Sequence, residues 1–312
     1  MTQSLMTHKL MTHKLMTGLA LHLTALLLLS PGSTAQPASD STPPLLLTDA
    51  HLVNPATKTV RRGALRIERE RIAAVLDEAP TDSLILKGKT LLEGGTNRGS
   101  VDSLKQARAL FKRATGAAEH QALAHYYAAL ANYRLNNQFP EDAEDRREPV
   151  LEDAIDHLKQ ATKIDSTMAD AWALLNGCYG QMMGMNPMQG MSLGPKSGEA
   201  MEKAMTLAPK NPRVWIISGT QDYFTPSMFG GDKEQALEKF KKAARLAEQE
   251  SVSDPLKPNW GHAEAYAWIG IAHMNAERYD QARTAFEKAL EINSDYGWVK
   301  YVLLPKLDKK TG

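Results

Sequence analysis

AEAYAWIGIAHMNAERYDQARTAFEKALEINSD, residues 263–295, contains two helical patterns separated by a short polar turn. In the first pattern an aromatic, an apolar and a small residue share one face, namely Tyr266, Ile269 and Gly270. In the second, a small residue, a large residue and an alanine recur at steps of four and three, namely Ala282, Phe286 and Ala289. Residues at these steps lie on one side of a helix, and the small ones let a neighbouring helix approach closely. The stretch therefore predicts a pair of packed helices.

The second pattern occurs five times between residues 100 and 304, which indicates an internal repeat. The other four sets are Ala107/Phe111/Ala114, Ala154/Leu158/Ala161, Ser197/Met201/Ala204 and Ala236/Phe240/Ala243. Because a single helical pair cannot bury its apolar face alone, repeated pairs stack on one another. The sequence therefore predicts a mainly α fold, a solenoid of helical hairpins with a small β unit before it.

The two patterns together resemble the tetratricopeptide repeat family, whose helix–turn–helix unit follows Trp-x2-Leu-Gly-x2-Tyr…Ala-x3-Phe…Pro. Residues 263–295 fit this unit without a gap, although Ser294 stands where proline is usual. The resemblance implies a solenoid over residues 96–304, with four repeats, an N-terminal half repeat and a C-terminal cap helix, followed by a tail at 305–312. It also implies a non-enzymatic scaffold that binds a protein or peptide partner.

The first 35 residues have the pattern of a secretory signal peptide. Lys9 and Lys14 precede an apolar core at 18–29, and a small-residue cleavage site follows at 33–35. The apolar core is shorter than the roughly 20 residues that a spanning helix needs, which favours cleavage over an uncleaved anchor. Four methionines are candidate starts, namely Met1, Met6, Met11 and Met16. We expect an exported protein, periplasmic or secreted, with no integral membrane segment after cleavage.

After a linker at 36–44, residues 45–95 are predicted to form the small β unit, because short apolar runs alternate with turn signals. The stretch resembles the N-terminal strands of the amidohydrolase superfamily, through its Arg71–Val75 strand and its approach to a barrel at Leu86–Gly95. The family's His-x-His metal pair is missing, since no histidine follows before His120. The unit is therefore interpreted as a remnant or an accessory module, and one alternative function is an accessory subunit of an amidohydrolase-type enzyme.

The turns inside the predicted hairpins lengthen toward the N-terminus. The interval between the small residues of the two helices is 12 from Gly270 to Ala282, but 17 from Gly219 to Ala236. It is 21 in the preceding repeat and about 25 in the one before that. Such insertions emerge on one edge of a solenoid, and edges of this kind often bind partners.

The resemblance places partner binding on a concave groove lined by the first helix of each pair. The inward positions along these helices are apolar or aromatic, which suits an amphipathic helix or an extended apolar segment. The expected partner-binding residues are Tyr126, Leu130, Tyr133, Ile216, Thr220, Tyr223, Ile271 and Met274. The alternative is that individual members pack between repeats.

Five of the 14 methionines fall within ten residues, namely Met182, Met183, Met185, Met188 and Met191. Thioethers are soft ligands that suit Cu(I), so the cluster is an alternative metal site. Methionine is also an adaptable filler of apolar surfaces, and we favour that interpretation. The glycines and proline around the cluster predict a compact, turn-rich loop.

The remaining features exclude several function classes. The net charge is +1 and basic residues are interspersed with acidic ones, so no nucleic-acid partner is expected. The sequence contains no His-Glu-x2-His and no Cys/His pair at metal spacing, and we expect neither catalysis nor a cofactor. Cys178, the single cysteine, is predicted to be a buried structural thiol. The oligomeric state is left open.

Overall fold

The computed structural model describes residues 45–54, 59–68, 71–77 and 80–312. The signal peptide predicted at 1–35 and the linker at 36–44 lie outside the described residues. The chain divides into a unit that ends at Ala79 and a helical unit from Pro80 to Gly312. None of the described helices is long and apolar enough to cross a membrane.

Three strands lie in the first unit: β1 (Leu45–Asn54), β2 (Thr59–Glu68) and β3 (Arg71–Asp77). They form an antiparallel sheet in the order β1-β2-β3. Ala64 pairs with Leu76 and Leu65 with Val75 between β2 and β3. The register shifts once in each strand pair, after Leu47 and after Arg66.

The helical unit consists of five consecutive helix pairs and a terminal helix among residues 80–312. The pairs are α1 (Thr81–Arg98) with α2 (Val101–Ala114), α3 (Gln121–Asn136) with α4 (Glu144–Ile164), α5 (Ala169–Met185) with α6 (Gly190–Leu207), α7 (Pro212–Phe224) with α8 (Lys233–Gln249), and α9 (His262–Asn275) with α10 (Tyr279–Ile292). Each pair packs as a hairpin and the pairs stack in sequence order.

The predicted end of the β unit at residue 95 is wrong, because Thr81–Arg98 is helical. The predicted N-terminal half repeat is therefore one helix of a complete pair. Gly88 faces Phe111 of α2 so closely that a Cβ on it would lie 2.4 Å from the ring. The segment Leu86–Gly95, which supported the amidohydrolase resemblance, thus forms part of the first helical hairpin.

The small–large–alanine sets occupy the second helix of every pair, and all of their side chains are buried. This confirms the spacing from which the repeat was predicted. The large member packs against a glycine of the first helix in the last two pairs, where Phe240 meets Gly219 and Phe286 meets Gly270. In the third pair Asn176 replaces the glycine and donates a hydrogen bond to Ser197 Oγ at 2.8 Å.

The insertion of the third pair lengthens its helices, whereas that of the fourth pair lengthens the loop. The turn-rich loop predicted around the methionines is wrong, because α6 already begins at Gly190 and continues through Gly194 and Pro195. Only residues 186–189 separate α5 from α6, and they include a short 3-10 turn. The insertion between α7 and α8 is the non-helical stretch 225–232, which contains a second 3-10 turn.

The chain end is ordered helix rather than the predicted tail at 305–312. A π-helical turn at Trp298–Leu303 leads directly into α11 (Leu304–Thr311). Proline is tolerated at the start of α11 because the first helical positions need no intrahelical donor. The buried side chains of this cap are Val299, Leu303 and Leu307, whereas Tyr301 and Val302 are exposed.

Candidate partner-binding surfaces

The side chains predicted to line a concave groove lie inside the helical packing. Seven of the eight are buried: Tyr126, Leu130, Tyr133, Ile216, Tyr223, Ile271 and Met274 are between 0% and 8% exposed, and Thr220 is half-buried. We call the surface formed by the first helices of the pairs, α1, α3, α5, α7 and α9, the inner face. The predicted side chains lie beneath this surface, so a partner would contact other residues first.

Residues 250–261, which link α8 to α9, explain part of this burial. We call them the crossing segment, because they leave the fourth pair and contact the first two. Tyr127 of α3 donates a hydrogen bond to the Leu256 carbonyl at 2.7 Å. Lys89 of α1 donates to the carbonyls of Pro255 and Lys257 at 2.5 and 2.6 Å. Three consecutive backbone carbonyls are thus bound by side chains of the inner face.

The side chains of the crossing segment add apolar contacts to the same face. Leu256 is 7% exposed and Pro258 is buried. Trp260 Nε1 donates to the Tyr126 hydroxyl at 2.8 Å, and the guanidinium of Arg134 lies 4.7 Å from the Trp260 ring centroid. A cation over an indole face is attracted by the ring quadrupole, most strongly where water is excluded.

Buried ion pairs fix the two ends of the crossing segment. Arg213 of α7 donates two hydrogen bonds to the Glu250 carboxylate, at 2.8 and 2.7 Å, and one to Asp170 at 2.5 Å. Just beyond the other end, Glu264 accepts two hydrogen bonds from Arg134, at 2.9 and 2.6 Å. Burial alone would lower the pKa of Arg134, but the Glu264 carboxylate outweighs it and the net effect raises the pKa.

The first and last pairs also meet directly. Asn293, after α10, donates to the side-chain oxygen of Asn97 in α1 at 3.1 Å. A Cβ on Gly297 would lie 2.2 Å from the Asn97 carbonyl oxygen, so only glycine permits this approach. The inner face is therefore closed by contacts within the chain, which the local spacings of the sequence could not indicate.

The insertions between helices emerge along one edge of the stack. Asn136 donates to Gln181 at 2.8 Å, and Asn176 donates to Gln221 at 3.0 Å, in each case across neighbouring first helices. Both bonds span 45 residues, and they tie α3 to α5 and α5 to α7. The segments that follow these three helices therefore leave the stack on the same side.

Half of the exposed large apolar side chains of residues 80–312 lie on or directly beside two consecutive insertions, since Met191 is in the first turn of α6 and Phe224 ends α7. Among the ten such side chains, these five are Met188, Met191, Phe224, Met228 and Phe229. We call this set the insertion edge. Its members are 68% to 93% exposed, and Phe224 packs edge-on to Trp268 with ring centroids 5.8 Å apart. The sequence singled out the insertions but not Phe224 and Phe229 as their exposed residues.

The five methionines of the alternative metal site are distributed over different environments. Met182 is buried at the end of α5, Met183 and Met185 are half-buried, and Met188 and Met191 are exposed. Cys178, four residues before Met182, is fully buried as predicted, and burial raises the pKa of its thiol. Among the described residues no group of three or more His, Cys, Asp or Glu side chains is arranged to hold a metal ion.

One polar pair was not anticipated from the sequence. His125 of α3 and His157 of α4 approach to 2.8 Å between their Nδ1 atoms, so one ring donates and the other accepts. Burial and the neighbouring His157 lower the pKa of His125 to about 4. Burial also lowers the pKa of His157, against the opposing effect of Asp153. Both shifts favour the neutral form of the ring.

Comparisons with known proteins agree with this architecture. Residues 263–296 match the model of the tetratricopeptide repeat, in the stretch from which the repeat was predicted. The fold is similar to that of the HusA haemophore from Porphyromonas gingivalis, with 20% identity, a TM-score of 0.53, and 63% of this chain and 94% of that chain covered.

A second similar structure is TTC0263, a thermophilic tetratricopeptide repeat protein from Thermus thermophilus. It is 16% identical with a TM-score of 0.48, and the match covers 68% of this chain and 95% of that chain. A comparison with curated protein sequences gives no match. The chain therefore carries a match to one tetratricopeptide repeat, which spans α9 and α10.

Proposed function

We propose that this protein is an exported, non-enzymatic scaffold that binds a protein partner through the insertion edge. The observation that carries the proposal is the exposure of Met188, Met191, Phe224, Met228 and Phe229 at two consecutive insertions. Exposed apolar patches on a folded domain mark interaction sites, and aromatic residues and methionine are enriched in them. The partner would present an apolar helix or extended segment.

This proposal moves the binding surface from the inner face to the edge. The inner face is occupied by the crossing segment, whereas the large side chains of the insertion edge are 68% to 93% exposed. Methionine adapts to partners of irregular shape, and the Phe224 ring is held by Trp268 before binding, which lowers the entropy cost.

The test is affinity capture from an envelope or culture-fluid fraction of the native host, read out by quantitative mass spectrometry. The variant F224S/M228S/F229S should lose its specific partner at least tenfold, because it removes the exposed anchors. The control Y301S changes a side chain that is 71% exposed on the terminal cap and should retain the partner. Equal recovery by both variants would refute the edge as the binding surface.

A second candidate function is binding of a soft metal or haem iron by the methionines of the first insertion. Met188 and Met191 are 88% and 93% exposed, so their thioethers are accessible. Thioethers suit Cu(I) and also serve as axial ligands of haem iron, and the structurally similar HusA is a haemophore. Titration with Cu(I) or haem, followed by absorbance, should reach saturation with the wild type, and the affinity should be lower for M188L/M191L. An affinity unchanged by the double substitution would exclude Met188 and Met191 as ligands.

The accessory-subunit alternative depends on the first unit of the chain. Its sequence resemblance now rests on the region of β1 to β3, because Leu86–Gly95 is helical. The same capture experiment tests this alternative. It would be favoured if an amidohydrolase is recovered by the wild type and by F224S/M228S/F229S but is lost when residues 45–79 are deleted.

A further inference from the structure

The crossing segment resembles a bound peptide ligand, because it forms its own turn and is bound by side chains of distant helices. Asp254 accepts a hydrogen bond from the Leu256 amide at 2.9 Å, and the Lys257 amide bonds to the Asp254 carbonyl at 3.1 Å. Asp at the first position and Pro at the second favour this kind of turn. The turn thus presents its carbonyls in a conformation that the local sequence already favours.

The inner face binds this turn through groups from helices far apart in sequence. Lys89 and Tyr127 bind the backbone carbonyls at residues 255–257, over separations of 129 to 168 residues. Recognition of backbone by side chains gives affinity, and pockets for individual side chains give specificity. Here Leu256 and Trp260 are the buried or half-buried anchors of the segment.

Charge is complementary across this contact. The segment contributes Glu250, which is paired with Arg213, and Asp254, which lies near Lys89. Burial lowers the pKa of the Lys89 amine, and the Asp254 carboxylate partly opposes that lowering. Side chains of the inner face supply the cations and the segment supplies the anions. The contacts thus define a ligand with an acidic residue, an Asp-Pro-Leu turn, and then Pro-x-Trp.

We propose that residues 250–261 are an intramolecular ligand that keeps the inner face closed, and that a partner peptide carrying an Asp-Pro-Leu turn followed by Pro-x-Trp displaces it. The tethered segment has a high effective concentration, so a free peptide competes poorly until the segment is loosened. The inner face would then be a second, regulated binding surface, independent of the insertion edge.

The probe is a fluorescent peptide of the segment's own sequence, ESVSDPLKPNWG, with binding followed by anisotropy. The full chain with L256S/W260S should bind this peptide at least tenfold more tightly than the wild type does. A control peptide with the same two residues changed to serine should not bind.

Adding Y127F and K89M to the L256S/W260S chain should reduce binding again, because the donors to the peptide carbonyls are lost. F224S/M228S/F229S combined with L256S/W260S should bind the peptide normally, which separates this result from the test of the insertion edge.

A second form of the protein keeps the experiment decisive if L256S/W260S fails to fold. A specific protease site inserted between the exposed residues Ser251 and Ser253 allows the folded wild-type segment to be cut at one end. Peptide binding should appear, or increase at least tenfold, only after cleavage. A folded, cleaved protein that still does not bind the peptide would overturn the proposal and make the segment a structural connection only.

Discussion

Gly270 is the residue at which helix packing depends most visibly on the absence of a side chain. A Cβ there would lie 2.3 Å from the Phe286 ring, which is itself fully buried and cannot move aside. Gly270→Ala should therefore destabilise the protein by about 1–3 kcal/mol through overpacking. Urea unfolding followed by circular dichroism measures the change.

Gly180 provides the matched control, since it lies within α5 and a Cβ on it would meet no atom within 4 Å. Gly180→Ala should be neutral or stabilise by up to about 1 kcal/mol, because alanine has the higher helix propensity. Equal effects of the two substitutions would show that the close approach of α9 and α10 is wrong.

The histidine pair predicts a pH dependence at the residue scale. The pKa of His125 is lowered from 6.5 to about 4, so between these values the folded state binds fewer protons than the unfolded state. The contribution of His125 to the free energy of unfolding is therefore fully present above about pH 6.5, and it is lost as the pH falls to about 4.

Unfolding free energies measured from pH 7 to pH 4 should decline less steeply for His125→Gln than for the wild type. We expect a difference of about 1 kcal/mol over this range, a value reduced for the partial exposure of the ring. Parallel curves for the wild type and His125→Gln would contradict the assignment.

At the scale of elements, the sequence predicted the second helix of every pair but did not predict α1. Ala107, Phe111 and Ala114 repeat a spacing that recurs in four other helices, and periodicity is a local property. In α1, by contrast, Gly88 and Gly95 weaken the helical signal, and their role becomes clear only from Phe111 and Leu104 on the next helix. Tertiary contacts thus override the local preference.

The terminal helix gives a prediction at the same scale. Leu307 of α11 is fully buried although it lies in the predicted tail. Leu307→Ala should lower the free energy of unfolding by about 2–5 kcal/mol, since it leaves a cavity beneath the cap. Val302→Ala, at a side chain that is 50% exposed, should change it by less than about 0.5 kcal/mol. Thermal unfolding compares the two, and similar melting temperatures would mean that α11 does not pack on the stack.

At the scale of the whole helical unit, the inner face is closed by the chain's own residues. Repeat spacing predicts how neighbouring pairs stack, but it carries no information on contacts between the second pair and the fifth. Arg134 and Glu264 are 130 residues apart, and Tyr127 and Leu256 are 129 apart. For this reason the predicted groove residues lie on the first helices, as expected, but their packing inside the stack was foreseen only as the alternative interpretation.

The central claim is that these long-range contacts close the inner face and leave the insertion edge as the accessible apolar surface. A double-mutant cycle on Arg134 and Glu264 tests this claim most directly. Unfolding free energies are measured for the wild type, Arg134→Met, Glu264→Gln and the double variant. A buried, doubly hydrogen-bonded ion pair predicts a coupling energy of about 1–3 kcal/mol. A coupling energy of zero, with all four proteins folded, would show that α3 and α9 do not meet and would contradict the closed arrangement.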